Sequence, residues 1–90
     1  MHIARVVGNV VVTRKDENLT GITLLIIQPL TPEREAAGRT LVAVDSVGAG
    51  VGETVLIVSG SSARMASGMK DCPIDAAIVG IVDNIELQES

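Results

Sequence analysis

The sequence predicts an all-β fold: a small five-stranded barrel of the OB type with one short helix. Three observations lead there. Five runs rich in Val, Ile and Leu recur along the 90 residues, divided by glycine, proline and polar segments. Between those runs the sequence offers at most one short helix, in "SSARMASGMKDCP". The connections between the runs also hold no helix long enough for the crossovers of βαβ units, from which a parallel sheet is built.

The elements follow in order. "HIARVVGNVVVTR" is the first strand, and Gly8 marks a bend or bulge of the kind that curves a barrel. "KDENLTG" is a polar connection closed by Gly21. "ITLLIIQPL" is the second strand, stopped by Pro29. In "TPEREAAGRT", Thr31 and Pro32 are the cap and first residue that a helical turn would use. "LVAVDS" and "TVLIVSG" are the third and fourth strands, joined across a glycine cluster. "SSARMASGMKDCP" gives one short helix and a loop, and "DAAIVGIVDNIEL" is the fifth strand.

Length and composition bound what such a barrel can do. Residues 1–90 make one domain, because a chain of this size supports a single thin core. Yet 47% of its residues are hydrophobic and its mean hydropathy is +0.44, high for a small domain. Several strands are apolar at successive positions, as in "ITLLIIQ" and "TVLIV", a pattern that belongs to strands covered on both faces. The chain has no long helices to supply that cover, so a second copy of the protein is the expected source. There is no Phe, Trp or Tyr. Single-stranded nucleic-acid binders stack bases on such rings, at roughly 1–3 kcal/mol each. A net charge of −4 would also repel phosphate, so nucleic acid is an unsuitable partner.

A lone cysteine, Cys72, rules out an internal disulfide. "MHIARVVGNVVV" lacks the features of a signal peptide, and no apolar run reaches the ~20 residues of a membrane span. The expectation is a cytoplasmic protein with no membrane partner.

The stretch 41–60, "LVAVDSVGAGVGETVLIVSG", raises the question of nucleotide binding. A dinucleotide fingerprint needs a strand, GxGxxG and then a helix whose N-terminus meets the pyrophosphate. Gly48, Gly50 and Gly52 are spaced GxGxG, and a β-branched strand follows them. No Lys-Ser or Lys-Thr pair follows either, which excludes a phosphate-binding P-loop. The alternative is a tight connection between two antiparallel strands, with glycines supplying positive φ. Three glycines in five residues exceed that need, and they also suit copies of one loop converging at a symmetry axis.

Other chemistry finds little support. His2 and Cys72 are too isolated for a metal site, and no third group completes a nucleophile pair. "GSSAR" has Arg64 where a nucleophile elbow needs glycine, so Ser61 or Ser62 reads as a helix cap. Asp45 and Asp75 read as turn-end residues accepting backbone N–H groups or pairing with Arg64. No catalytic residue, cofactor or metal is assigned. The competing functional class is a small-molecule-binding or regulatory OB-like module acting as a ring oligomer.

Three segments in order, "ARVVGNVVVTRKDENLTGITLLIIQPL", "VAVDSVGAGVGETVLIVSGSSAR" and "PIDAAIVGIVD", resemble the EutN/CcmL family of bacterial microcompartment vertex proteins. The polar loop with Lys15, Asp16, Leu19 and Gly21 belongs to that likeness. The resemblance implies an OB-like barrel assembled as a homopentamer that caps the vertices of a polyhedral shell, beside hexameric shell proteins. It implies a structural role and no catalysis. It places Gly48, Ala49, Gly50, Val51, Gly52 and Glu53 at the central axis and its opening, and Arg64 and Asp75 at subunit contacts.

Overall fold

The computed structural model describes residues 1–13, 17, 21–67 and 75–88; the side chains of Arg64, Met65 and Ser67 fall outside that set. Its elements are β1 (His2–Asn9), β2 (Thr23–Leu30), β3 (Leu41–Asp45), β4 (Thr54–Ser59), α1 (Gly60–Ser67) and β5 (Ala76–Val82). The strands close into a barrel in the order β1-β2-β3-β5-β4. All neighbours are antiparallel except β3 and β5, which run parallel through Val44↔Ala77 and Asp45↔Ile78.

Closure follows from side-chain alternation, since residues two apart on a strand share a face. Ala4 and Val6, Leu25 and Ile27, Val55 and Ile57, and Ala76 and Ile78 all point inward, with Ala43 completing the interior. Alanines beside isoleucines and valines suit so narrow a barrel, where five large side chains at one level would collide. Two irregularities help the sheet curl. Val7 is an extra residue between the pairs Val6↔Ile27 and Gly8↔Ile26, so the bulge expected at Gly8 is present. A second one falls at Val79, between Leu56↔Gly80 and Ile57↔Ile78.

The other face of the sheet is partly covered from within. Val44, Val58 and Ala77 are buried against Ala63 of α1, with Leu24 and Val79 packed at the margin. This corrects the expectation that only another copy could cover the outer apolar residues: two helical turns suffice for one patch. They do not reach the rest. Val7, Leu41, Val42, Val47, Val51 and Ile81 remain exposed.

Several expected boundaries move. β2 continues through Pro29 to Leu30. The N–H and C=O of one strand residue point to the same side, and the Pro29 carbonyl faces Ala37, whose N–H it accepts at 2.9 Å. The missing proline donor therefore lies where β3, whose pairing ends at Ile27↔Leu41, does not reach.

The helical turn expected at Thr31–Pro32 is instead a β-turn. The Arg34 N–H donates to the Thr31 carbonyl at 2.8 Å, Arg34 has φ 68°, and Leu30 bridges Ala36. The Thr31 hydroxyl still acts as a cap, accepting the Glu35 N–H at 3.2 Å. The fifth strand ends at Val82 rather than Leu87. The helix begins at Gly60, directly after β4, so Ser61 and Ser62 lie inside its first turn. "KDENLTG", apart from Glu17 and Gly21, and Cys72 lie outside the described residues.

Among the described residues, no helix is long and apolar enough to cross a membrane. Ile57, 1% exposed in the interior cluster, gives a direct check on this packing. Ile57→Ala should lower the unfolding free energy by about 2–5 kcal/mol, read by chemical denaturation at fixed protein concentration.

Candidate functional site

Residues 46–53 connect β3 to β4, but these two strands are not neighbours. β5 lies between them in the barrel. The expectation of a tight antiparallel connection is therefore overturned: the loop must pass over the end of β5. A bridge of this kind makes no ladder of its own, so its backbone groups need other partners.

Carboxylates at its two ends supply many of them. Asp45, the last residue of β3, accepts the Val47 N–H at Oδ1 (3.0 Å) and the Ala49 N–H at Oδ2 (2.9 Å). This is the side-chain turn that aspartate favours, extended to a second amide. At the other end, Glu53 Oε1 accepts the Gly50 N–H at 2.6 Å, while the Glu53 N–H donates to the Gly50 carbonyl at 3.1 Å. Gly50–Val51–Gly52–Glu53 is thus a β-turn with Gly52 at its third position, and the φ of 93° there is the conformation a type II turn demands. The loop is then fixed to β1, since the Gly52 N–H donates to the Val6 carbonyl at 2.8 Å and the Val6 N–H to the Glu53 carbonyl at 2.9 Å.

The three glycines have different reasons. Gly48 and Gly52 have φ of 80° and 93°, as expected for at least part of the cluster. Gly50 does not lie in the left-handed region. A Cβ there would stand 3.3 Å from Glu53 Oε1, so its role is the close approach of carboxylate to backbone. The chemical consequence is that Asp45 and Glu53 are both engaged as acceptors of the loop's own backbone N–H groups. Val47 and Val51 stand exposed on this rigid loop, and Ala49 packs against the barrel core. The i, i+3 spacing of Gly50 and Glu53 was the sequence signal for the second carboxylate, analogous to a helix capping box.

The remaining expected site residues lie elsewhere. Asp75 is exposed just before β5, and its carbonyl accepts the Gly60 N–H at 2.9 Å, tying the start of α1 to the start of β5. Arg64 is on α1, with its side chain outside the described residues. His2 is exposed on β1, opposite Ile57. Among the described residues, no group of three or more His, Cys, Asp or Glu could hold a metal.

Known proteins give this geometry a context. Residues 1–83 match the family described as "Ethanolamine utilisation protein EutN/carboxysome". The chain is 49% identical over 86 residues to the bacterial microcompartment shell vertex protein GrpN of Rhodospirillum rubrum, covering 96% of this chain and 97% of that one. It is 46% identical over 87 residues to the carboxysome shell vertex protein CcmL of Synechocystis, covering 97% and 87%. Its fold matches the structure described as the GrpN pentameric microcompartment shell protein of Rhodospirillum rubrum, with a TM-score of 0.88 and 46% identity over 98% and 100% of the two chains. A barrel of this topology, matched over nearly its whole length in both sequence and structure, belongs to the EutN/CcmL family of microcompartment shell proteins.

Proposed function

We propose that this protein is a structural component of a bacterial microcompartment shell, acting as a homopentamer that caps the shell's vertices. The observation that carries this is the end-to-end likeness to GrpN, itself described as pentameric, at 46% identity with both chains covered. The exposed apolar residues Val7, Leu41, Val42, Val47, Val51 and Ile81 supply the physical motive for assembly. A ring repeats one contact between two different patches of the subunit, and it closes when the rotation per subunit divides the circle. A flat hexagonal sheet has no curvature, and five-fold units at its corners provide it. Hexameric shell proteins are accordingly the partners at the rim.

Within that ring, residues 48–53 border the central axis. Their support is local: a loop made of small residues, held rigid by Asp45 and Glu53, lets five backbones approach closely. Five Glu53 carboxylates around an opening would disfavour anions. Arg64 and Asp75 are assigned to contacts between subunits, a role compatible with the exposure of Asp75 at the start of β5.

Shell assembly in vitro tests the vertex role. Hexameric tiles alone should give sheets, tubes or open shells, and adding this protein should yield closed polyhedra visible by electron microscopy. Closure without it, at equal yield, would overturn the assignment.

The loop placement is tested by Gly50→Val. Native mass spectrometry of the unaltered protein should read five times 9.3 kDa, about 46.5 kDa. The variant should retain the barrel's circular dichroism while losing most of that species to smaller masses; an unchanged ring would remove the loop from the axis. Asp45→Ala addresses rigidity, leaving two amides without their acceptor at a cost of about 1–2 kcal/mol. Hydrogen exchange at Val47 and Ala49 should accelerate about tenfold, with the core amides of β1 and β4 unaffected.

A further inference from the structure

The final described residues follow a strand pattern without strand partners. In residues 84–88, Asn-Ile-Glu-Leu-Gln, Ile85 and Leu87 alternate with polar residues, the signature of a half-buried strand. Among the described residues, however, strand pairing stops at Val82. Ile85 is half-buried, and Leu87 is 59% exposed. Glu86 makes a local contact with Asn84 at 3.4 Å.

An open apolar groove of about 450 Å³ lies at the other end of β4, lined by His2, Pro29, Leu30, Ala37 and Leu56 among others. It continues across His2, Pro29 and Ala37 into a second depression bounded by Arg39 and Leu41. Two features say what fits there. The charges are complementary: Arg39 is the charged side chain lining the groove and no acidic residue lines it, whereas Asp83, Glu86 and Glu89 make the chain after Val82 acidic with no cation. The chain's own tail is aimed elsewhere, and residues 84–88 are not among those lining the groove. β5 runs antiparallel to β4 and ends opposite Thr54, so the chain leaves the barrel heading away from the groove beside Leu56 and Ile57. An extended run of six residues reaches about 20 Å, enough to cross to an adjacent subunit.

We propose that residues 84–88 of each copy dock into the His2–Pro29–Ala37 groove of a neighbouring copy, with Leu87 in the groove and Glu86 facing Arg39 at its rim. The docking rests on the ring reading above, because it requires a second copy at a fixed position. It supplies the strand-patterned tail with a partner and covers the groove in one contact.

Disulfide trapping in the assembled protein tests it. In a Cys72→Ser background, copies carrying Leu87→Cys are co-assembled with differently tagged copies carrying Ala37→Cys, both positions being exposed. Mild oxidation should give a covalent heterodimer joining the two tags. Its yield should fall at least fivefold when the groove copy also carries Arg39→Glu, and recover when the tail copy carries Glu86→Arg. A five-copy mass without the heterodimer, or a yield indifferent to both charge changes, overturns the docking and leaves the pentamer standing. Absence of any ring in the unaltered protein overturns both. A chain bearing both cysteines that forms only an internal disulfide also overturns the docking, since the groove would then take its own tail.

Discussion

Closing five short strands around an interior one side chain wide is the constraint on which the rest of this structure depends. The interior admits a mixture of alanine with valine, leucine and isoleucine, and the inward positions of all five strands follow that mixture. Closure also requires β5 to enter between β3 and β4. Once it does, the chain from Asp45 to Thr54 has to cross the barrel's end, because a hairpin between those strands is no longer available. The loop and its glycines are thus consequences of how the barrel closes.

The loop's chemistry follows from that position. A bridging segment without ladder partners would leave several amides unsatisfied, and Asp45 and Glu53 accept three of them. Carboxylates used in this way hold a shape. The same pair, seen without the fold, could be mistaken for acid–base machinery. Its hydrogen bonds instead make a stiff projection that presents Val47 and Val51 to whatever lies alongside. Rigidity is what an assembly contact requires, since a loop already ordered loses little entropy on association.

The outer surface has a similar logic at larger scale. α1 buries Val44, Val58 and Ala77 but is only eight residues long, leaving Val7, Leu41, Val42 and Ile81 uncovered. A small barrel can fill its inside, yet it cannot also cover a sheet that is apolar outside. Repetition of the subunit around an axis resolves this without adding chain, and the acidic, strand-patterned tail and its complementary groove extend the same solution.

The sequence by itself determined the number and type of elements, the bulge at Gly8, the apolar character of several strands on both faces, the absence of base-stacking rings and the likeness to a shell family. These are local or compositional properties: propensity, apolar runs and motif order are carried by neighbouring residues, whereas which of two apolar faces turns inward is not. The tertiary structure decided the rest. It set β5 between β3 and β4, which turned an expected hairpin into a bridge, because strand order depends on contacts far apart in the chain. It let β2 run through Pro29, because the missing donor points to the side that the ladder with β3 does not reach, where residues 36 and 37 lie instead. It converted the Thr31–Pro32 turn from helical to β, since Leu30 and Ala36 bridge each other. It stopped the fifth strand at Val82, because a strand extends only as far as its partners do, and partners are a property of the folded chain and its copies.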